Sequence, residues 1–341
     1  MSGATRPSLL SRLKPDGYIL LIVGMVVLAS LLPARGVAAP VFGLATKIAI
    51  GLVFFLHGAK LSREAVIRGV THWRLHLLVL AATFLLFPVL CLGLAALPGW
   101  ITPVALAPGL VFLGCLPSTI QSSIGFTAIA RGNVAATVAS ATASNLLGIV
   151  LTPIIAGLIM HARGGGLSLH SAQSIVVQLL VPFVAGQVLR RWIGDWVAKN
   201  SKLLSYVDRG SILLVVYSAF SEAVVGGIWS RVSALDLFRL LILCAVLLAL
   251  VLLATVAAAR FCRFDKADEI TIVFCGSKKS LASGVPMAGV LFPGASLGLI
   301  LLPIMLFHQI QLMACAVIAQ AYARRDEPEP ETGADTALQT S

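Results

Sequence analysis

The chain has 341 residues, 58% of them hydrophobic and only 11% charged, with a formal net charge of +11 and a mean hydropathy of +0.97. Soluble globular domains carry about 25% charged residues, so that class is excluded, and apolar runs from end to end predict a polytopic all-α membrane protein. The basic excess does not point to nucleic acid, because Lys and Arg are scattered in short loops between apolar runs, the pattern of the positive-inside bias.

In chain order, Arg6, Arg12 and Lys14 precede a first apolar run, Tyr18 to Pro33, and Val37-Ala38-Ala39 follows with the small residues of a signal-peptidase site. The run is longer than a signal-peptide core, so an uncleaved first helix is expected. The pattern predicts ten transmembrane helices, over 18–34, 40–58, 75–97, 103–130, 134–160, 172–190, 210–229, 236–260, 268–291 and 296–322. Cys91, Cys115, Cys244, Cys262, Cys275 and Cys315 fall in or beside these segments without metal-ligand spacing. They read as small buried hydrophobes, and neither a disulfide framework nor a metal cofactor is expected.

Of the Lys and Arg residues, 18 fall on one side of this arrangement and three (Arg35, Arg163, Arg231) on the other, with Lys47, Arg239, Lys278 and Lys279 inside spans. That asymmetry predicts a multi-pass protein of the inner or plasma membrane with both termini cytoplasmic. Arg190-Arg-Trp-Ile-Gly-Asp-Trp196 reads as a short amphipathic helix within a cytoplasmic stretch, 190–209, midway along the chain. After Arg325 the chain turns acidic and Pro-rich and reads as disordered. The expected organisation is a cytoplasmic segment 1–17, a membrane domain 18–322 and a tail 323–341.

Two spans are interrupted. In the fourth, Pro117 lacks a backbone donor and breaks the helix, and Ser118, Thr119, Gln121, Ser122 and Ser123 follow at membrane depth. In the ninth, Gly276-Ser277-Lys278-Lys279-Ser280 interrupts an apolar run, with Ser283 and Gly284 beyond. Each lysine near the midplane costs about 2.5–3.5 kcal/mol by insertion scales, so a wet cavity, a counter-charge or a ligand is expected beside it. Both breaks fall in the fourth span of a five-span half, and an odd number of spans per half makes the halves an inverted repeat. Paired interruptions of this kind point to a transporter site near the midplane. Half-helix N-termini and two lysines around one gap predict a positive field, and a small organic anion as the guest.

Glu222, the single acidic residue deep inside a span, is the candidate to neutralise a lysine or to carry a proton. Lys47 and Arg239 sit nearer span ends and read as snorkelling. His308, Gln309 and Gln311 read as interhelical packing bonds more than as ligands. Asn133 reads as a cytoplasmic turn, while Ser140 and Ser144, on one helical face, and Asn145, about 100° further round, extend the polar lining.

These stretches resemble a known family. Pro117-x-x-x-x-Ser-Ser with Ala130-Arg-Gly-Asn-Val-Ala135 looks like the crossover region of the bile acid:sodium symporter family (solute carrier family 10). Leu75-His-Leu-Leu-Val, Phe87-Pro88, Gly186-Gln-Val-Leu-Arg-Arg-Trp-Ile-Gly-Asp-Trp196 and Phe274-Cys-Gly-Ser-Lys-Lys-Ser-Leu-Ala-Ser-Gly-Val-Pro-Met287 resemble its member 7-like branch. The resemblance implies a five-helix inverted repeat in which a core of helices 3–5 and 8–10 moves against a panel of helices 1, 2, 6 and 7, by alternating access around discontinuous helices 4 and 9.

Against the sodium-coupled pattern that the resemblance brings, Ser118 and Thr119 stand for two glycines, Ser123 for an asparagine, Phe274 for a glutamate and Lys278-Lys279 for a Gln-Asn pair. Ser122 and Ser140 survive as weak sodium candidates, yet a hard cation wants several oxygens and preferably a carboxylate. The expectation is transport of an organic anion without sodium at the usual sites, a lysine supplying the missing charge or carrying a proton.

Two other readings stand beside it. One is a membrane regulator or sensor that binds a solute without moving it. The other is an intramembrane hydrolase with Ser277 or Ser280 activated by a lysine. The partners expected are the solute and the lipid bilayer, and oligomeric state leaves no mark on the sequence.

Overall fold

The structure is a computed structural model that describes residues 17–60, 72–162, 169–292, 294 and 296–324, all helix and connecting turn. The segment 1–16, most of the loop 59–74, Arg163 and the acidic tail lie outside the described residues. The first helices are α1 (Gly17–Leu31), α2 (Ala38–Lys60) and α3 (Trp73–Ala95). Next come α4 (Ala107–Cys115), α5 (Ile120–Ile129), α6 (Val134–Ala162), α7 (Leu169–Lys199) and α8 (Ser201–Val225). A single turn, α9 (Ile228–Arg231), leads to α10 (Ala234–Phe261), α11 (Lys266–Gly276), α12 (Leu281–Leu291) and α13 (Ser296–Ala323).

Among the described residues, α2, α3, α6, α8, α10 and α13 are long and apolar enough to cross a membrane, and α4 with α5 makes a seventh span bent by 67°. Alone, the 11 residues of α11 or of α12 reach only about 16 Å at the helical rise, roughly half a bilayer core.

Local chemistry sets the ends. Ser233 and Asp236 form a reciprocal capping box at the start of α10, satisfying two otherwise orphaned donors. Asp265 caps α11 and Ser280 caps α12, each accepting the backbone N–H three residues on. The stretch 190–209 departs from the expectation of a separate short helix. α7 runs unbroken to Lys199 and α8 begins at Ser201, with Asn200 as the joint. Charge marks where a span leaves lipid, not where its helix ends, and no Gly-Pro stop lies between. Val197 and Leu204 pack beside Leu56 and Ala59 of α2, while Trp192 and Trp196 stay exposed.

Packing gathers the helices into two sets. α2 lies against α7 and α8, and α1 against α8. Around the interrupted pairs α4/α5 and α11/α12 pack α3, α6, α10 and α13. The sets meet where α8 touches α12 and α13 and where α7 touches α6 and α12.

The α2–α7 crossing is as close as backbones allow. A Cβ on Gly58 would overlap the carbonyl oxygen of Phe183, and one on Gly186 would overlap that of Phe55, the reciprocal arrangement of a small-residue crossing in lipid. We expect Gly186→Val to lower the unfolding midpoint in detergent by the equivalent of about 1–3 kcal/mol or more, the cost of overpacking. Gly51→Ala, whose Cβ meets open space, should leave the midpoint unchanged or raised; equal effects would show that the crossing is not tight.

Candidate functional site

The site starts from the rule that backbone polar groups away from water must be bonded. α4 ends at Cys115 because Pro117 cannot donate. The carbonyl of Gly114 then loses both local donors. Pro117 has none, and the N–H of Ser118 turns to the hydroxyl of Ser144, 3.0 Å away. The carbonyl of Cys115 accepts from the Thr152 hydroxyl at 2.8 Å. The carbonyl of Pro117 accepts from the backbone N–H of Ser280 at 2.9 Å, and that of Ser118 from Asn145 Nδ2 at 2.6 Å.

The carbonyls left over, those of Gly114 and Leu116, both accept from Lys279 Nζ at 2.7 Å. A third acceptor, the carbonyl of Thr83, also lies 2.7 Å from that nitrogen. It is freed on α3 by a similar route. Residues Ala82–Leu86 form a π-turn in which the N–H of Phe87 bonds the carbonyl of Ala82, and the next donor in register would be Pro88, which has none. Lys279 thus spends all three N–H bonds on carbonyls orphaned by two prolines, and its ammonium sits 4.2 Å from the Phe87 ring centroid.

Lys278 is held differently. Its Nζ donates to the carbonyl of Ser122 at 2.9 Å and lies over the rings of Phe126 (3.8 Å) and Phe274 (5.2 Å), a cation–π arrangement.

Both lysines are buried, at 0% and 1% exposure. Among the described residues neither lysine meets the counter-charge expected; backbone carbonyls take that place, those at the end of α4 and of Thr83 for Lys279 and that of Ser122 for Lys278. Glu222, half-buried on the last turn of α8, pairs with neither.

The breaks are bonded to one another directly. The Ser118 hydroxyl donates to the carbonyl of Cys275 (2.6 Å), that of Ser123 to Phe274 (2.9 Å) and that of Thr119 to Lys279 (2.9 Å). Gln311 of α13 clamps the peptide of Lys279, accepting from its N–H and donating to its carbonyl, both at 2.9 Å. Asn145 bridges Ser118 to Ser283, whose hydroxyl donates to Asn145 Oδ1 at 2.8 Å. Glycines permit the approach: a Cβ on Gly148 would lie 2.7 Å from Pro117, and one on Gly284 2.6 Å from Leu116.

Of the residues singled out in the sequence, Pro117, Ser118, Thr119, Ser122, Ser123, Lys278, Lys279 and Ser280 are therefore brought together. Ser277 lies among them, buried, its hydroxyl without a partner, as is that of Ser122. Gln121 is exposed on α5. The Ser140 hydroxyl is engaged by His76 Nδ1 at 2.6 Å and does not turn to Ser122. Neither ammonium bonds a serine hydroxyl, the contact that a Ser–Lys hydrolase requires. Thr83, Thr152 and the ring of Phe126 escaped the sequence reading, and Phe87 and Phe274 entered it only through the resemblance. The Thr83-Phe-Leu-Leu-Phe-Pro88 run carries a signal for the first, a proline that strips a donor from the preceding turn.

Two interrupted helices bonded break to break at the polar centre of an all-helical chain are an arrangement that solute transporters use. The model of the SBF-like CPA transporter family matches residues 16–324, and the chain belongs to that family. It is 58% identical to PA2026, an uncharacterised protein of Pseudomonas aeruginosa, over 92% of this chain and 95% of that one. It is 53% identical to "Putative symporter YfeH" of Escherichia coli, over 94% and 98%, and 29% identical to sodium/bile acid cotransporter 7 of Rattus norvegicus, over 91% and 93%.

Each carbonyl deprived of its donor costs about 1–3 kcal/mol; Lys279→Met strips three and Lys278→Met one. Relief of the buried charge is shared by both variants, so unfolding midpoints in detergent should fall in the order wild type, Lys278→Met, Lys279→Met. Equal losses would show that the carbonyl cage does not hold the break.

Proposed function

We propose that the protein is a secondary transporter that moves a small organic anion across the cell membrane by alternating access around the interrupted helices α4/α5 and α11/α12. In this reading α1 to α13 make ten crossings arranged as an inverted repeat of five, with both termini cytoplasmic. A panel of α1, α2, α7 and α8 works against a core of the remaining helices. The observation that carries the reading is the cross-bonding of the two breaks around Lys278 and Lys279, since irregular backbone survives at membrane depth only where protein or a water-lined path satisfies it.

Two features support an anionic guest. Two buried ammonium groups have no carboxylate partner among the described residues. The N-terminus of α5 lacks a side-chain cap, and Gln121 in its first turn is exposed, so backbone donors and a dipole end are available to a ligand.

The names of the relatives bring sodium and bile acids into consideration. Sodium is disfavoured because the carbonyls of Gly114, Leu116 and Thr83, the oxygens a hard cation would use, already hold an ammonium. The chemistry of the site asks only for an anionic group, so taurocholate is one test compound among benzoate, succinate and sulfate.

Purified protein in detergent should be stabilised thermally by one or more such anions, equally in sodium and in choline buffers. Proteoliposomes loaded with that anion should take up its labelled form by counterflow. Stabilisation that requires sodium would overturn the sodium-free site. Binding without counterflow would leave a solute sensor in place of a transporter.

A further inference from the structure

This inference rests on the transport reading and concerns the division of labour within its site. We propose that Lys279 is a permanently charged strut and that Lys278 is the residue that gains and loses a proton during the cycle. The difference lies in their partners. Lys279 Nζ gives each of its three N–H bonds to a backbone carbonyl. Carbonyls accept and never donate, so a neutral amine in that cage would turn its lone pair against an oxygen and leave one acceptor without its bond.

Lys278 has one such bond, to the carbonyl of Ser122. Its remaining positions face the rings of Phe126 and Phe274, which impose no fixed number of donors. A neutral amine in this setting needs a donor for its lone pair, and the buried, unpartnered hydroxyl of Ser122, whose carbonyl already holds the nitrogen, is the one to supply it. A hydroxyl can donate to an amine or accept from an ammonium by rotation, so this surrounding tolerates both protonation states.

The groups that face Lys278 from its neighbours fit that role. α11 presents Cys275 and α13 presents Cys315, both buried thiols, and α5 presents Ser122 and Phe126. Lys279 is the one other charged group on the break. The nearest carboxylates along α11, Asp268 and Glu269, are engaged by Asn133 and by Lys266, Arg260 and Tyr322. Among the described residues no carboxylate therefore fixes Lys278 in the charged form. In the step itself, the ammonium gives one proton to a water molecule on the side to which the site is open. It keeps the electron pair of that N–H bond as the amine lone pair, and recovers a proton from water on the other side.

The test is solid-state nitrogen NMR of the full chain carrying 15Nζ-lysine in lipid bilayers, titrated from about pH 6 to about pH 10, below the ordinary lysine value of about 10.4. The expected result is one buried signal that converts from ammonium to amine and is missing from Lys278→Gln. A second buried signal should remain ammonium throughout and be missing from Lys279→Gln. If Lys279→Gln does not fold, Lys278→Gln decides alone, because it must lose the converting signal and keep the constant one. A converting signal that persists in Lys278→Gln, or no conversion in the wild type, overturns the assignment. Counterflow is measured independently of this spectrum, so a wrong proton assignment and a wrong transport reading give different results.

Discussion

The centre of this protein depends on one constraint: carbonyls that proline has stripped of donors must find hydrogen where the surrounding helices bury them. Pro117 orphans the end of α4, and Pro88 with its π-turn orphans Thr83 on α3. A single ammonium from the break between α11 and α12 serves both. Hydrogen bonds to a charged group contribute about 1.5–3 kcal/mol each, whereas desolvating an ammonium costs several. The balance is close to even, so what Lys279 provides is geometry more than net stability. It ties α3, α4 and the α11/α12 break at one point.

A second layer of bonds repeats the principle with neutral groups. The C-terminal carbonyls of α11 are closed by hydroxyls from the opposite break, Ser118 and Ser123, and the buried peptide of Lys279 by Thr119 and Gln311. The carbonyl end of α4 thus meets Lys279, a negative helix pole against a positive side chain. That lysine and that break explain each other. Without the carbonyls the ammonium would be uncompensated, and without the ammonium they would face apolar surroundings.

Much of this was legible in the sequence, for identifiable reasons. Pro117 and the Gly276–Ser280 run announce interruptions because each violates the rule that a span closes its own hydrogen bonds. The span of α3 was also legible, but its π-turn was not, since hydropathy records how apolar a residue is and not which N–H serves which carbonyl. The same blindness hid the carbonyl partners of Lys278 and Lys279, beside which charge alone leads to the expectation of a wet cavity, a counter-charge or a ligand. That the lysines turn inward depends on Ser118 giving its N–H to Ser144, a long-range choice that leaves Gly114 without a donor. The continuity of α7 and α8 past Arg190 was hidden because Lys and Arg end the apolar pattern before the helix ends. Glu222 looked like a counter-ion by elimination, and elimination cannot place α8 relative to α11.

A tethered cation changes what the site can do. A bound ion can leave, and its departure releases the carbonyls it held; an ammonium on the chain cannot, so Lys279 keeps the middle of α3 and the end of α4 bonded to the α11/α12 break for as long as it stays charged. In the proposed cycle these elements travel together, and the sliding surfaces have to lie elsewhere. The contacts of α8 with α12 and α13, and of α7 with α6 and α12, are the places where the two helix sets meet without such a clasp. The α2–α7 crossing is closed at Gly58 and Gly186 by backbone fit, which leaves that pair rigid as well. Motion between two bodies that are each locked internally, one by a buried cation and the other by two glycines, is what rocking around a central site requires.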